Sequence, residues 1–362
     1  MPSQLLHTLF GEDLIAEIYR RMESRFGIIA GRTMEKIRDE HRKAFVLGCQ
    51  GPDIFYHSQG RRPVGVEYGT LLHRRGAGIF TAGLLKMGLP DPLPDEDDIR
   101  MNRREKGINA LGAYALGYMT HAILDRQAHP YIVYKSDRPP PASPRRDRSH
   151  AFFERIIDVL MLKRLRGADI TSWDQEGILA GICENPPLGL KELLARSLVQ
   201  AFPERAGKDE KLSRRVENTF LDCAFFYHLT APSYSHGKAS AGDGLTKGQV
   251  AYLYPVNLPE HIDFLNLSKK PWYYPAGEKK EDTRSFPEIY DGAVAAAADS
   301  LTGIIDHYME KGIFPIKDAA LAIGNGGLSI VDEDGKPCAP SRSDPLPLQE
   351  VLEQQAVLRG FK

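Results

Sequence analysis

The sequence contains few cysteines and no segment long and apolar enough to cross a membrane. Its four cysteines, Cys49, Cys183, Cys223 and Cys338, are widely scattered, and no two are separated by two residues. This spacing excludes a zinc ribbon and a disulfide framework, so we expect reduced core thiols. No run approaches the ~18 consecutive apolar residues that a transmembrane helix needs. The cysteine spacing and the lack of such a run are both typical of a soluble protein.

The chain also lacks an excess of charge of one sign and a recognisable export signal. Its formal net charge is −1 at pH 7, so no global electrostatic field favours nucleic acid as a partner. The first residues, MPSQLLHTLFGEDLIAEIYRR, contain neither a basic n-region nor a long apolar h-region, unlike a secretory signal peptide. We therefore expect a cytoplasmic location.

Runs of alternating apolar and polar residues, which are typical of strands, are missing as well. Helical spacing of apolar residues predicts an all-α fold, with one multi-helix domain over residues 1–312. One long helix is predicted over about residues 104–128, ended by Pro130. Residues 231–288 form a long, irregular, aromatic-rich segment, and loops of that length are usually functional or poorly ordered. Residues 313–362 are predicted to be a turn-rich C-terminal extension with a short terminal helix.

Side chains able to bind a metal ion are concentrated between residues 121 and 154. His121 and Asp125 are four residues apart, as are His150 and Glu154, and His129 lies between the two pairs. On a helix this spacing places both members of a pair on one face. Both pairs continue apolar faces, where an unpaired carboxylate is costly to bury and a metal ion would serve as its partner. The pattern predicts a metal cluster; the alternative is hydrogen bonding between histidines and carboxylates inside a helical core.

Six segments of the chain share motifs with one known family. They are LLHTLFGEDL (5–14), GPDIFYH (51–57), LLHRRGAG (71–78), GYMTHAILDRQAHPYI (117–132), SHAFFE (149–154) and WYYPAGEKKEDTRSFPEIY (272–290). Together they resemble the bacterial zinc-dependent phospholipase C family over roughly residues 1–312. The resemblance implies an all-α fold, shared with the single-strand-specific zinc nucleases, and a cluster of two or three Zn²⁺ ions in a cleft.

The resemblance also implies how the ligands would be divided among three ions. In secreted members the third ion also binds the amine and carbonyl of an N-terminal tryptophan, whereas this chain begins Met-Pro-Ser. The third site would therefore be weaker, use the Pro2 amine or stay empty. The first ion would be held by Asp53, His73, His121 and Asp125, the second by His129, His150 and Glu154, and the third by His7 and a bridging Asp125.

Two or three zinc ions a few ångström apart suit the hydrolysis of phosphate esters. Such ions neutralise phosphate oxygens and lower the pKa of a bound water toward ~7. The leading hypothesis is therefore a zinc-dependent phosphoric diester hydrolase that cleaves a phospholipid with a metal-activated water, as a phospholipase C does. Asp53 is the candidate catalytic carboxylate, which would orient or deprotonate that water. No serine or cysteine nucleophile pattern stands out, so we expect no covalent intermediate.

Two other functions fit the same pattern. A nuclease or nucleotide phosphatase on this scaffold would be helped by Arg145, Arg146 and Arg148, and a non-catalytic helical scaffold would keep the metal for structure. The phospholipid hypothesis requires transient contact with a membrane surface, although core packing is the favoured interpretation of most aromatic residues. His57 is a possible substrate contact and not a ligand. The aromatic residues that could form a rim are Phe225, Phe226, Tyr227, Tyr252, Tyr254, Trp272, Tyr273 and Tyr274.

Overall fold

The computed structural model describes residues 4–89, 95–100, 107–140, 148–232, 240 and 244–361. Helices dominate this part of the chain, so the predicted all-α class is confirmed. Its helices in chain order are α1 (Gln4–Glu35), α2 (Arg42–Cys49), α3 (Val66–Arg74), α4 (Ala77–Gly88), α5 (Glu96–Arg100), α6 (Ala110–Ser136), α7 (Ser149–Arg166), α8 (Gln175–Glu184), α9 (Leu190–Ala201), α10 (Pro203–Ala206), α11 (Leu212–Thr230), α12 (Phe286–Lys311), α13 (Ile316–Ile323) and α14 (Leu348–Leu358).

Shorter elements connect these helices. A π-helical turn, Lys36–Glu40, follows α1, and a 3-10 helix, Gly51–His57, follows α2. The strands within the described residues are β1 (Trp272–Tyr273) and β2 (Glu281–Asp282), which pair antiparallel with Trp272 opposite Asp282. Two further 3-10 helices are Ile170–Ser172 and Lys247–Tyr252. None of the described helices is both long and apolar enough to span a membrane.

Helix α6 runs through the centre of the fold, and it begins and ends later in the chain than its sequence predicts, at Ala110 instead of about residue 104 and at Ser136 instead of about 128. Asn109 caps it by accepting a hydrogen bond from the Gly112 backbone N–H at 2.9 Å. The prediction that Pro130 ends this helix is wrong, because α6 continues to Ser136. An interior proline costs roughly 3 kcal/mol. Packing offsets this cost: Tyr131, the next residue, is fully buried and its ring lies 5.5 Å from that of Trp272.

Close packing of α2 against α6 positions the chain that follows α2. A Cβ atom on Gly117 would lie only 2.3 Å from the carbonyl oxygen of Phe45, so only glycine allows this approach. The two backbones therefore nearly touch, and the 3-10 helix that follows α2 emerges beside the middle of α6. This arrangement brings Asp53 next to His121.

The C-terminal residues pack on helices that carry candidate ligands. Phe314 and Leu328 are buried in the main core cluster. The Leu328 backbone N–H donates to the carbonyl of His73 at 2.9 Å. The Arg126 guanidinium donates to carbonyls of the loop that follows α13, among them that of Gly327 at 3.1 Å. The division into 1–312 and an extension stays a prediction.

Candidate metal centre

All eight residues predicted as ligands come together beside the middle of α6. They come from α1, the 3-10 helix after α2, α3, α6 and α7. Six of them are buried, and the other two, on α3 and at the start of α7, are half-buried. The eight residues are His7, Asp53, His73, His121, Asp125, His129, His150 and Glu154.

Asp125 lies at the middle of the cluster, and imidazoles face both of its oxygens. Its Oδ1 is 3.2 Å from Nε2 of His7 and 3.3 Å from Nδ1 of His129. Its Oδ2 is 3.1 Å from Nε2 of His121 and 3.7 Å from Nε2 of His73. A carboxylate so surrounded can share its two oxygens between neighbouring ions.

Asp53 faces the same cluster from the 3-10 helix. Its Oδ1 is 2.9 Å from Nε2 of His73, and its Oδ2 is 3.5 Å from Nε2 of His121. This approach depends on Gly51, because a Cβ there would lie 2.2 Å from the His121 ring. The φ of Gly51 is +56°, a conformation that glycine adopts at little cost.

The third group lies between α6 and α7. Glu154 Oε1 is 3.5 Å from Nε2 of His129 and 3.3 Å from Nε2 of His150. The two imidazole rings stack with their centroids 5.7 Å apart and their planes 16° from parallel. The second nitrogen of His129 faces Asp125, so this ring lies between the two carboxylates.

Three of the histidines are oriented through the nitrogen that faces away from the cluster. Metal-binding histidines usually use their second ring nitrogen to donate to a carbonyl or carboxylate, which fixes the tautomer. Here each Nδ1 has such an acceptor, so each Nε2 is directed at the carboxylates. The acceptors are Gly69 O for His73 at 2.8 Å, Cys49 O for His121 at 3.2 Å, and Asp137 Oδ1 for His150 at 2.8 Å.

The donor set fits zinc. Among the residues that the structure describes, several buried atoms of the cluster have no hydrogen-bond partner with good geometry, although they lie close to one another. Buried polar atoms left this way are costly unless something else binds them. The donors are nitrogens and oxygens within 4.8 Å of one another in each of three groups, as Zn²⁺ prefers. The unpartnered atoms are His7 Nδ1, Asp53 Oδ2, His121 Nε2, Asp125 Oδ2 and His129 Nδ1.

The electrostatics of the cluster favour cations. Burial alone would raise the pKa of Asp125, but the rings of His129 and His121 hold it well below its usual range. Burial alone would lower the pKa of His129, but Asp125 and Glu154 raise it well above its ordinary value. The Asp125 carboxylate therefore remains ionised, and the negative potential that favours positive charge on His129 would equally favour a divalent ion.

His57 lies at the end of the 3-10 helix that carries Asp53. Its ring stacks on Phe226 with a centroid distance of 4.0 Å, and Tyr227 approaches it edge-on at 5.4 Å. Neither ring nitrogen has a hydrogen-bond partner among the described residues. Burial lowers the pKa of His57 to about 3, although the Asp53 charge opposes this shift. The ring is therefore neutral and offers one donor and one acceptor.

The residues considered as an aromatic rim differ in exposure. Tyr227, Tyr254 and Trp272 are buried, whereas Phe225 on α11 is 65% exposed. Leu221, one turn earlier on the same helix, is 38% exposed. The remaining four, Phe226, Tyr252, Tyr273 and Tyr274, are half-buried.

Sequence reasoning missed two carboxylates beside the cluster. Asp137 orients His150, and Asp158 binds the first turn of α1. The signal for Asp158 was its position one turn after Glu154 on the same helix face. Asp137 belongs to no motif and gave no comparable signal.

Comparison with known proteins agrees with this geometry. Residues 24–187, just under half of the chain, match the family described as zinc dependent phospholipase C. This match confirms the resemblance for the segment that supplies seven of the eight candidate ligands, with only His7 outside it. No curated protein and no solved structure matches the chain.

Proposed function

We propose that this chain is a zinc-dependent phosphodiesterase that cleaves a phospholipid as a phospholipase C does, releasing diacylglycerol and a phosphorylated headgroup. The observation that carries the proposal is the position of Asp125, which lies within 3.1–3.7 Å of imidazole nitrogens from four histidines. The family match over residues 24–187 supports the same reaction class.

The eight predicted ligands would hold two or three ions. Asp53, His73 and His121 would hold one with Asp125, while His129, His150 and Glu154 would hold a second. His7 and the bridging Asp125 would hold a third. When bound, these ions would neutralise the phosphate charge and supply an acidified water.

Asp53 would act on the attacking water. Burial raises its pKa, but the nearby His121 and His73 rings outweigh this effect and lower it below its ordinary value. The group therefore accepts hydrogen bonds as a carboxylate. Its Oδ2 has no hydrogen-bond partner among the described residues. This atom would orient the water and take its proton, a role that typically accelerates a reaction by about 10²–10⁴-fold.

The exposed face of α11 supports contact with lipid. Phe225 and Leu221 present apolar side chains to solvent from one face, and Phe226 follows against His57. An aromatic side chain at such a position can enter the boundary between lipid headgroups and acyl chains. The contact would be transient, since the apolar area is small.

Arg148, one of the three arginines that would help a nuclease, already has partners within the protein. Arg148 donates to the carbonyl of Gly248, and its guanidinium lies 5.2 Å from the centroid of the Tyr252 ring. It is therefore already engaged within the protein. Arg145 and Arg146 lie outside the described residues.

Purified protein assayed on two substrates, with and without a chelator, tests the proposal. We expect labelled phosphatidylcholine to yield diacylglycerol, and chelation to stop the reaction. Cleavage of single-stranded DNA without diacylglycerol release would favour the nuclease. Turnover of neither substrate by zinc-loaded protein would favour a structural metal.

A further inference from the structure

A buried carboxylate outside the ligand set joins α1 to α7. Asp158 is completely buried. Its Oδ1 accepts a hydrogen bond from the Leu6 backbone N–H at 2.8 Å, and its Oδ2 accepts one from the Leu5 N–H at 3.4 Å. The first N–H groups of a helix have no partner within the helix, and negative charge is favourable there. Asp158 therefore fixes the first turn of α1 from another helix.

Arg155 reinforces this attachment. Its Nη1 donates to the Gln4 side-chain oxygen at 2.9 Å and lies 3.6 Å from Asp158 Oδ2. The guanidinium also lies 4.9 Å from the centroid of the Tyr254 ring. The pairing matters because a buried carboxylate without a positive partner would be strongly destabilising. A second contact also holds Gln4, because Gln50 Nε2 donates to the backbone carbonyl of Gln4 at 3.0 Å.

The attachment lies directly beside the metal centre on both helices. On α7, Asp158 follows Glu154 by four residues, so the two carboxylates share a face of the helix. On α1, Leu6 immediately precedes His7, whose Nε2 is 3.2 Å from Asp125. One turn of α7 thus supplies the candidate ligand Glu154. The next turn of α7 carries Asp158, which holds the turn of α1 that presents His7.

We propose that Asp158 is a positioning residue that places His7 and thereby determines whether the third ion binds. The inference rests on the proposed function only in taking the ions to be zinc. Without the two hydrogen bonds, the first turn of α1 would fray, and binding an ion through His7 would require ordering that turn again. Loss of a group that orients a metal ligand typically weakens metal affinity by about 10–100-fold. The sites built from α3, α6 and α7 do not depend on this turn.

Counting zinc per chain in variants tests the inference without any assay of hydrolysis. The variants are Asp158→Asn, His7→Ala and the double variant, and the control is Asp263→Asn. Asp263 is a matched control because its carboxylate also accepts two backbone N–H groups, those of Leu267 and Ser268 at 2.8 Å each, away from the ligands. Each protein is saturated with zinc, freed of excess ions by gel filtration and checked for helicity by circular dichroism.

We expect three ions in the wild type and in Asp263→Asn. We expect two in Asp158→Asn, in His7→Ala and in the double variant, with native helicity in each. Equal loss in the single and double variants would show that both changes affect the same ion. Hydrogen exchange at Leu5 and Leu6 should accelerate in Asp158→Asn.

Three ions in Asp158→Asn would overturn the inference, because His7 would then be placed without it. Fewer than two ions, or loss of helicity, would also overturn it, since Asp158 would then support the whole fold. A wild type with fewer than three ions would contradict the inference and leave hydrolysis by two ions intact. Three ions without cleavage of any phosphodiester would instead contradict the proposed function alone.

Discussion

The two halves of the candidate metal centre are built in different ways. In the α6–α7 half, five candidate ligands lie on two helices, and helical geometry sets their spacing. In the other half, three candidate ligands come from three separate elements, and contacts with residues outside the ligand set hold each one. His7 depends on Asp158, Asp53 on the space at Gly51, and His73 on a carbonyl of its own helix and on Leu328.

This difference shows where the centre is sensitive to change. A substitution in the α6–α7 half acts through the ligand itself or through a group that orients its ring, such as Asp137, because the helix keeps the neighbouring ligands in place. The other half can also be disturbed from outside the cluster, through Asp158, Gly51 or the C-terminal residues that pack on α3. Asp125 belongs to the first half and touches ligands of both halves, so it couples them.

The largest effect is expected for Asp125→Asn. This change removes the charge that faces four imidazoles, so ions should be lost from both halves and hydrolysis should fall to the background rate. Metal analysis and turnover of phosphatidylcholine measure the two effects. Wild-type zinc content together with full activity would remove Asp125 from the centre.

Asp53→Asn should separate binding from catalysis within the second half. Because His73, His121 and Asp125 remain, most of the metal should be kept, whereas kcat should fall by about 10²–10⁴-fold through loss of the base. Steady-state kinetics with zinc-loaded protein gives the value. An unchanged kcat would exclude Asp53 from the mechanism.

Asp137→Asn tests the α6–α7 half through a residue that binds no ion. Its carboxylate holds Nδ1 of His150 at 2.8 Å, and its loss should weaken zinc binding at the Glu154 group by about 10–100-fold. A chelator competition titration measures the affinity. An affinity equal to that of the wild type would indicate that helix geometry alone orients His150.

The smallest effect is expected for Gly51→Ala, compared with Gly167→Ala. Both glycines have positive φ, +56° and +62°, but only at Gly51 would the new Cβ meet the His121 ring. Strain at such positions costs about 1–3 kcal/mol. In denaturant unfolding, the strained backbone should lower the free energy of unfolding by a similar amount in both variants. Gly51→Ala alone should lose further unfolding free energy and bind zinc more weakly. An equal loss of unfolding free energy in the two variants would mean that the His121 ring moves aside without cost.

The sequence predicts the α6–α7 half more directly than the other half. Candidate ligands four residues apart on an apolar helix face can be recognised from their spacing alone. His121 with Asp125 and His150 with Glu154 are such pairs. His7, Asp53 and His73 have no such spacing, and only the family resemblance joined them to the cluster. The all-α class followed from helical periodicity, which most of residues 1–312 share outside the irregular segment 231–288.

Other features depend on tertiary contacts that no local pattern reveals. Helix α6 continues past Pro130 because packing of Tyr131 offsets the missing hydrogen bond. Asp137, the residue just after α6, meets His150 in the first turn of α7. The attachment of α1 by Asp158 requires knowing that the two helices are adjacent, although their residues are more than 150 positions apart.

X-ray absorption at the zinc edge of the purified, zinc-loaded protein tests whether the imidazoles and carboxylates bind a shared cluster of zinc ions. We expect nitrogen and oxygen neighbours at about 2.0–2.2 Å, no sulfur near ~2.3 Å, and a second zinc about 3.5–4 Å away. A spectrum with sulfur ligands, or with isolated zinc and no metal neighbour, would contradict a shared cluster of imidazoles and carboxylates.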